Sequence, residues 1–348
     1  MKPSTCKKYI IGASVCLLVI LGLVYFYFFA GMSSKKGTSY IYIDQDDNID
    51  SVYAKLDTIA TSRSMHAFKT LVRHSKYADH IRTGRYAIKN DMGAFITFRH
   101  LKNGMQDPVS LTIPSVRTKG DLAAAVAKKT IIDEEELYDS LADESFCEKY
   151  GYDTATIVCL FIPNTYEIYW NASISKFMDL MKKESKKFWD FNRTEKAKAM
   201  QLTPNEVITL ASIVDEETAN DAEKPMVAGM YYNRLKLRNA EYPNGMPLQA
   251  DPTIKFAWKR FELKRIYNNL LSINSPYNTY KNTGLPPGPI RIPTVAGIDA
   301  VLNHIKHDYL YMCAKEDFSG THNFAKTYQE HLKNAEKYSK ALNERGIK

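Results

Sequence analysis

Thr203-Pro204-Asn205-Glu206-Val207-Ile208-Thr209-Leu210-Ala211-Ser212-Ile213-Val214-Asp215-Glu216-Glu217 reads as a helix with its own start signal and an acidic end. Thr203 is a good N-cap, Pro204 suits the first helical position, and Glu206 completes a capping box. Val207, Leu210, Ala211 and Val214 then recur at helical spacing and mark an apolar face. At about 100° per residue, Glu217 projects beside Leu210, Ile213 and Val214, while Glu216 projects to the opposite, solvent side. Asp215 sits on the other flank, above Ala211. A carboxylate at this end also meets the negative pole of the helix dipole. Apolar walls and dipole both favour the protonated form, so Glu217 is predicted to have a raised pKa and is the candidate catalytic general acid. Three acids that merely solvate a helix end give the same letters, and both readings stand at this level.

The chain has 348 residues, room for about two domains. A hydrophobic content of 45% and a charged content of 25% are those of a globular protein. The net charge of +8 is scattered. Its densest group, Lys182, Lys183, Lys186 and Lys187 on one predicted helix, reads first as a solvated face. An electropositive surface near an anionic membrane or acidic polymer is the alternative. No nucleic-acid module is present. Cys6, Cys16, Cys147, Cys159 and Cys313 form no CxxC pair and no Cys/His cluster, so no metal site is expected. Cys147 and Cys159 are candidates for a bridge in an oxidising compartment; buried thiols at 147, 159 and 313 are the simpler expectation.

Residues 9–30 form an uncharged, mostly apolar run. At 1.5 Å per residue it spans roughly 33 Å, enough for a hydrocarbon core. Lys2, Lys7 and Lys8 precede it, which predicts a cytoplasmic N-terminus (residues 1–8) and a single-pass anchor. A cleaved signal peptide is the rival, but its apolar region would be unusually long and no clean small-x-small site follows. The remainder then works outside the cytoplasm, where nucleotide cofactors are scarce, and no Gly-rich phosphate loop is found. No cofactor is expected.

Residues 31–38 read as a Gly/Ser/Lys linker. Strands are predicted at 39–43, 84–89 and 109–113, with a helix between the last two, and helices at 49–60, 64–74, 117–128 and 133–141. Residues 156–162 read as an apolar strand ending at Pro163, and 173–191 as one long amphipathic helix. A helix at 222–237, capped by Asp221, follows the acidic cluster. Residues 239–293 are dense in Pro, Gly, Asn and Tyr, interrupted by a helix after Pro252. Long irregular segments in a compact domain usually carry function. A strand at 309–314 and a helix at 325–343 close the chain.

Three further constellations stand out. In Gln249-Ala250-Asp251-Pro252-Thr253, helix capping explains Asp251 and Pro252 but leaves Gln249 unexplained. Ser275-Pro276-Tyr277-Asn278-Thr279-Tyr280-Lys281-Asn282-Thr283-Gly284-Leu285-Pro286-Pro287-Gly288 alternates aromatic rings with amides and hydroxyls. Sugars need that mixture, and a turn-rich rigid loop uses it too. In His322-Asn323-Phe324 a structural histidine is the commoner reading. No HExxH, no GxSxG and no penicillin-binding signature set is present, so metal and acyl-enzyme chemistry lack support.

Together these segments resemble the YceG-like family of endolytic murein transglycosylases. The carrying residues are Ala211-Ser212-Ile213-Val214-Asp215-Glu216-Glu217-Thr218, Asn233-Arg234-Leu235, Leu248-Gln249-Ala250-Asp251-Pro252-Thr253, Tyr277-Asn278-Thr279-Tyr280, Thr283-Gly284-Leu285-Pro286-Pro287-Gly288-Pro289-Ile290 and His322-Asn323-Phe324. The family's catalytic glutamate maps to Glu217. The acid two positions before it is Asp215, one methylene shorter than usual, and Asn164 stands where an Asp is common.

The resemblance implies an α+β fold: a transmembrane helix (9–30), a LysM-like α+β subdomain (39–120) and a mixed α/β catalytic domain (121–348). It implies endolytic cleavage of the MurNAc–GlcNAc β-1,4 bond of nascent peptidoglycan strands, with 1,6-anhydroMurNAc ends, terminating strand elongation. Glu217 would be catalytic. Gln249, Asp251, Tyr277, Asn278, Tyr280 and His322 would bind substrate. The expected location is the inner (cytoplasmic) membrane, with the catalytic domain periplasmic and cell-wall synthases as partners. The rivals are a hydrolytic muramidase using Glu217 and Asp251, a non-catalytic glycan-binding scaffold, and, more distantly, a secreted metal-dependent hydrolase.

Overall fold

A computed structural model describes residues 3–33, 35–263 and 265–345. Lys2, Ser34 and the side chain of Cys6 lie outside the described set. The architecture is mixed α/β and rich in helix, with the named strands confined to three two-stranded sheets among the described residues. The chain divides into two compact units, residues 1–110 with 129–131 and 167–173, and residues 111–128 with 132–166 and 174–348.

In the first unit, α1 (Pro3–Phe29) contains a segment, Lys7–Phe29, long and apolar enough to cross a membrane. β1 (Thr38–Ile43) is followed by α2 (Ile49–Asp57) and α3 (Ser62–Arg73), each started by a local cap, Asn48 and Thr61. β2 (Gly84–Lys89) returns antiparallel to β1, pairing Thr38 with Lys89 and Ile43 with Gly84, and α4 (Ala94–Asn103) follows. Ile41, Ile43, Leu56, Phe68, Ile88 and Leu101 form the core of this unit.

The segment expected as a linker begins packed rather than loose. Met32 is fully buried, and its N–H donates to the Met92 carbonyl at 2.7 Å. Gly31 pairs with Gly93 in an isolated bridge. The Arg63 guanidinium donates to the carbonyls of Tyr27, Ala30 and Gly31 at 3.4, 3.4 and 2.9 Å, and to that of Phe26. Of these, Phe26 and Tyr27 lie in the last turn of α1, whose carbonyls have no intrahelical partners. Phe29 packs on Phe95 with ring centroids 5.2 Å apart. A Cβ at Gly93 would lie 2.5 Å from the Phe29 backbone. Gly93→Ala is therefore expected to cost about 1–3 kcal/mol by overpacking, read as a lower midpoint of denaturation of the full chain in detergent.

The chain enters the second unit at Leu111, within β3 (Val109–Ile113), which pairs with β4 (Asn164–Ile168). Between them lie α5 (Lys119–Ala127), α6 (Glu134–Ala142) and α7 (Glu144–Tyr150). Then come α8 (Ile174–Phe188), α9 (Phe191–Ala199), α10 (Pro204–Glu217), α11 (Lys224–Lys236), α12 (Asp251–Trp258) and α13 (Val295–Leu302). β5 (Tyr311–Ala314) pairs antiparallel with β6 (His322–Ala325), and α14 (Tyr328–Glu344) closes the chain from a Thr327 capping box.

Several expectations are corrected here. Residues 156–162 are not a strand: Ile157–Leu160 is a 3₁₀ turn, and the strand starts after Pro163. A short buried apolar run cannot be told apart by periodicity. The predicted helix 173–191 is two helices, because Asp190 accepts from the Arg193 N–H at 2.9 Å and caps α9. Asp221 does not cap α11, which lacks a side-chain cap bond; Asp221 pairs with Lys224 at 2.7 Å. Cys147 and Cys159 are buried and unbridged, and Cys313 is half-buried.

α10 forms as its capping box predicts: Thr203 N–H donates to Glu206 Oε2 at 2.7 Å, and Glu206 N–H to Thr203 Oγ1 at 3.3 Å. Residues 207–215 are all buried, so α10 is a core helix rather than an amphipathic surface one. Leu210, Ile213 and Val214 have zero exposure. Each contributes about 1.5–3 kcal/mol relative to an exposed side chain. This packing fixes where the acidic end of the helix points.

Candidate active site

The three acids that end α10 meet three different environments. Asp215 is buried, 2.7 Å from Lys224 Nζ. It also accepts from the Thr294 backbone N–H at 2.6 Å and the Thr294 hydroxyl at 3.1 Å, which fastens the start of α13. Gly297 is required there, since a Cβ would sit 2.4 Å from Asp215 Oδ1. Glu216 does project away from the apolar flank, yet it is not solvated. Arg117 grips it at 2.8 and 2.9 Å, and Arg291 adds a third bond at 2.9 Å. Helical geometry gave its direction; chain 75 and 99 positions away covers it.

Glu217 has no such cation. Its Oε1 accepts from the Tyr231 hydroxyl at 2.5 Å, and Oε2 makes no hydrogen bond to any described residue. The side chain is half-buried and lines a cavity of about 380 Å³. Burial among apolar and aromatic neighbours pushes its pKa up to about 7. The Tyr231 hydrogen bond opposes that rise, Asp251 adds to it, and Lys255 and Arg234 oppose it from further off. Because Tyr231 stabilises the carboxylate, Tyr231→Phe is expected to raise the Glu217 pKa further. The limb of the activity profile set by loss of this proton should then move to higher pH, and the rate should fall about tenfold. A pH series of turnover rates checks this.

The two loop motifs meet at this cavity. Thr279 joins them: its hydroxyl accepts from the Ala250 N–H at 3.0 Å and contacts Thr253 Oγ1 at 2.8 Å, while its carbonyl accepts from the Gln249 N–H at 3.0 Å. Gln249 is held in the left-handed region at φ 52°, at a cost of about 1–2 kcal/mol. Its Oε1 accepts from Arg234 Nη1 at 3.2 Å. Asp251 is not the N-cap of α12. Ala250 holds that position without a side-chain bond, and Asp251 instead accepts from the Tyr280 hydroxyl at 2.5 Å. Glu217, Gln249, Asp251 and Tyr280 thus line one cavity.

Three expected substrate-binding residues are placed elsewhere. Tyr277 lines a different cavity and packs on Phe256, with centroids 4.7 Å apart. Asn278 is fully buried; its amide donates to the carbonyls of Leu271 and Ile273, both at 2.9 Å, and its Oδ1 accepts from the Tyr280 N–H. It shapes the loop that presents Tyr280. His322 bonds Glu223 through its ring, at 3.0 Å, and its backbone N–H, at 2.6 Å. Alternation along a loop does not say which side chains turn inward.

The structure adds Tyr231, Arg234, Tyr311, Tyr328 and His331 to the cavity wall. Arg234 is 6% exposed and bonds the carbonyls of Pro247, Leu248 and Leu310, holding two remote segments together. His331 Nδ1 is buried with no hydrogen-bond partner among the described residues. Tyr231 and Arg234 left a usable sign. They sit three residues apart on a helix face with Val227 and Met230, where a buried arginine needs explanation.

Residues 41–337 match the YceG-like family. An endolytic murein transglycosylase of Bacillus subtilis (strain 168) is 30% identical over 328 residues, covering 89% of this chain and 88% of the relative. An endolytic murein transglycosylase of Streptococcus pneumoniae (strain D39) is 27% identical over 343 residues, covering 89% of this chain and 60% of the relative. Among solved structures, a yceG-like protein from Listeria monocytogenes is similar in fold, with a TM-score of 0.54 and 24% identity over 86% of this chain and 99% of that one. With a match over most of its length and a relative at 30% identity, this chain belongs to the YceG-like family.

Proposed function

We propose that this protein is a membrane-anchored endolytic transglycosylase that cuts peptidoglycan strands between N-acetylmuramic acid and N-acetylglucosamine. The carrying observation is Glu217, a carboxyl biased toward its proton, bonded by a single phenol and lining an open cavity. Glu217 gives its proton to the glycosidic oxygen as the bond to C1 of the muramic sugar breaks, and the electron pair leaves as the glucosamine 4-hydroxyl. The carboxylate, steadied by the Tyr231 hydroxyl, then takes the proton of the muramic C6 hydroxyl as that oxygen closes on C1. A 1,6-anhydro end forms and the acid is restored. A pKa of about 7 suits both half-steps. The attacking hydroxyl belongs to the same sugar, so the closure benefits from high effective molarity. Gln249 and Tyr280 supply an amide and a phenol beside Glu217 to hold the sugars.

The anchor, preceded by Lys7 and Lys8, supports an inner-membrane protein with a cytoplasmic N-terminus and an external catalytic unit. Such a placement brings the site to newly made strands and to the synthases that make them. Antiparallel pairing of β1 with β2 around α2 and α3 supports reading residues 39–120 as a LysM-like, glycan-binding subdomain.

Asp251 lines the same cavity, which favours a second reading, hydrolysis by water that Asp251 activates. Mass spectrometry of fragments released from sacculi separates the two. Anhydro ends are expected; ends heavier by about 18 Da, one water, would establish hydrolysis instead.

A further inference from the structure

The second unit holds another cavity, of about 410 Å³, that the proposed cleavage does not use. This volume lies in the range of ligand pockets. Arg117, Lys119, Lys259 and Arg291 line it, with no acid among the lining residues. Glu216 neutralises only part of that charge, because Arg117 and Arg291 share it. Among the described residues the buried Arg291 Nε–H has no hydrogen-bond partner, and the exposed Lys259 forms no ion pair. The walls are apolar and aromatic: Phe256 and Tyr277 pack at 4.7 Å, and Arg117 lies 5.4 Å from the Phe261 ring. No Asn, Gln, Asp or Glu side chain lines this cavity, so its charged groups are all cations. An anion on a small apolar body fits it.

The two cavities share their supports. α12 carries Asp251 at the Glu217 cavity and Phe256 at this one, five residues on, roughly 7.5 Å along the helix. Tyr280 lines the first and Tyr277 the second, from one loop. Glu216, which ties Arg117 and Arg291 together, is the chain neighbour of Glu217.

We infer that this cavity seats the free carboxylate end of a short peptide carried by the glycan strand, so that one arm of the polymer is read while its sugar lies at Glu217. The inference rests on the substrate being peptide-bearing glycan, as proposed above. Its test is a binding measurement, which stands or falls apart from any cleavage assay.

The full chain in detergent is titrated calorimetrically with acetyl-Lys-D-Ala-D-Ala and with the C-terminal amide of the same peptide. The acid is expected to bind at least about tenfold more tightly than the amide. Lys259→Asn suits the left-handed backbone at φ 54° and removes one cation. It and Arg117→Gln are each expected to cut the preference to below about threefold, while Glu217→Gln leaves it intact. Equal binding of acid and amide overturns the proposal. So does a preference that survives both cation variants, or one that disappears in Glu217→Gln, which would place the peptide in the other cavity.

Discussion

Glu217→Gln is expected to lower the release of anhydro-ended fragments by at least about 10³-fold, and at the same time to stabilise the folded chain above neutral pH. An amide in the same place still accepts from Tyr231, but it neither gives nor takes the proton. The stability gain follows from linkage. The folded pKa is about 7, against an ordinary value of 4.5. Between these values the native state keeps a proton that the unfolded chain has released, so stability falls as pH rises through this window. The loss is complete above pH 7, on the order of 3 kcal/mol, and absent below 4.5. Glutamine does not titrate and escapes it. Melting temperatures of both proteins, taken across this range, should diverge in favour of the variant between pH 4.5 and 7 and then run parallel. Undiminished activity in the variant removes the assignment of Glu217, and a pH-independent difference in melting contradicts its desolvation.

Asp215→Ala is the largest expected loss of stability, about 3–5 kcal/mol. The Asp215 and Lys224 side chains are only 2% and 6% exposed. Removing the carboxylate leaves a buried ammonium whose other carboxylate partner, Asp221, is 69% exposed. It also leaves the Thr294 N–H without its acceptor. Lys224→Met alone strands the opposite charge. The pair Asp215→Asn with Lys224→Met keeps both shapes and most of the Thr294 bond while removing both charges. It should therefore lose much less than Asp215→Asn and Lys224→Met measured singly and summed, with a coupling of about 1–3 kcal/mol. Urea midpoints of the four proteins measure this. Strict additivity would show that the ion pair does not hold the end of α10 in place. Since Asp215 lies two residues before Glu217, the single variants are also expected to lose activity before they unfold.

The helix caps behave differently from the loops in how far the letters reveal them. Thr203, Pro204 and Glu206 act within one turn, so α10 was legible to its last residue. Asp190 was equally local, but the amphipathic pattern running through it hid the break between α8 and α9. The sorting of Tyr277, Asn278 and Tyr280 into a second cavity, a buried brace and the Glu217 cavity depends on Thr279 reaching Ala250 and Thr253 across 29 and 26 positions. No local pattern carries that information.

From the letters alone came an apolar N-terminal helix long enough to cross a membrane, a capped core helix, and an acid on its buried flank with a reason to keep its proton. These depend on hydropathy and on neighbours three or four residues apart, which the helix places by itself. Folding decided which of the three terminal acids is left without a cation. Lys224 takes Asp215, and Arg117 and Arg291 take Glu216, leaving Glu217 with the Tyr231 hydroxyl. Charge pairing acts through space over a few ångströms, so only the packed chain brings such partners within reach.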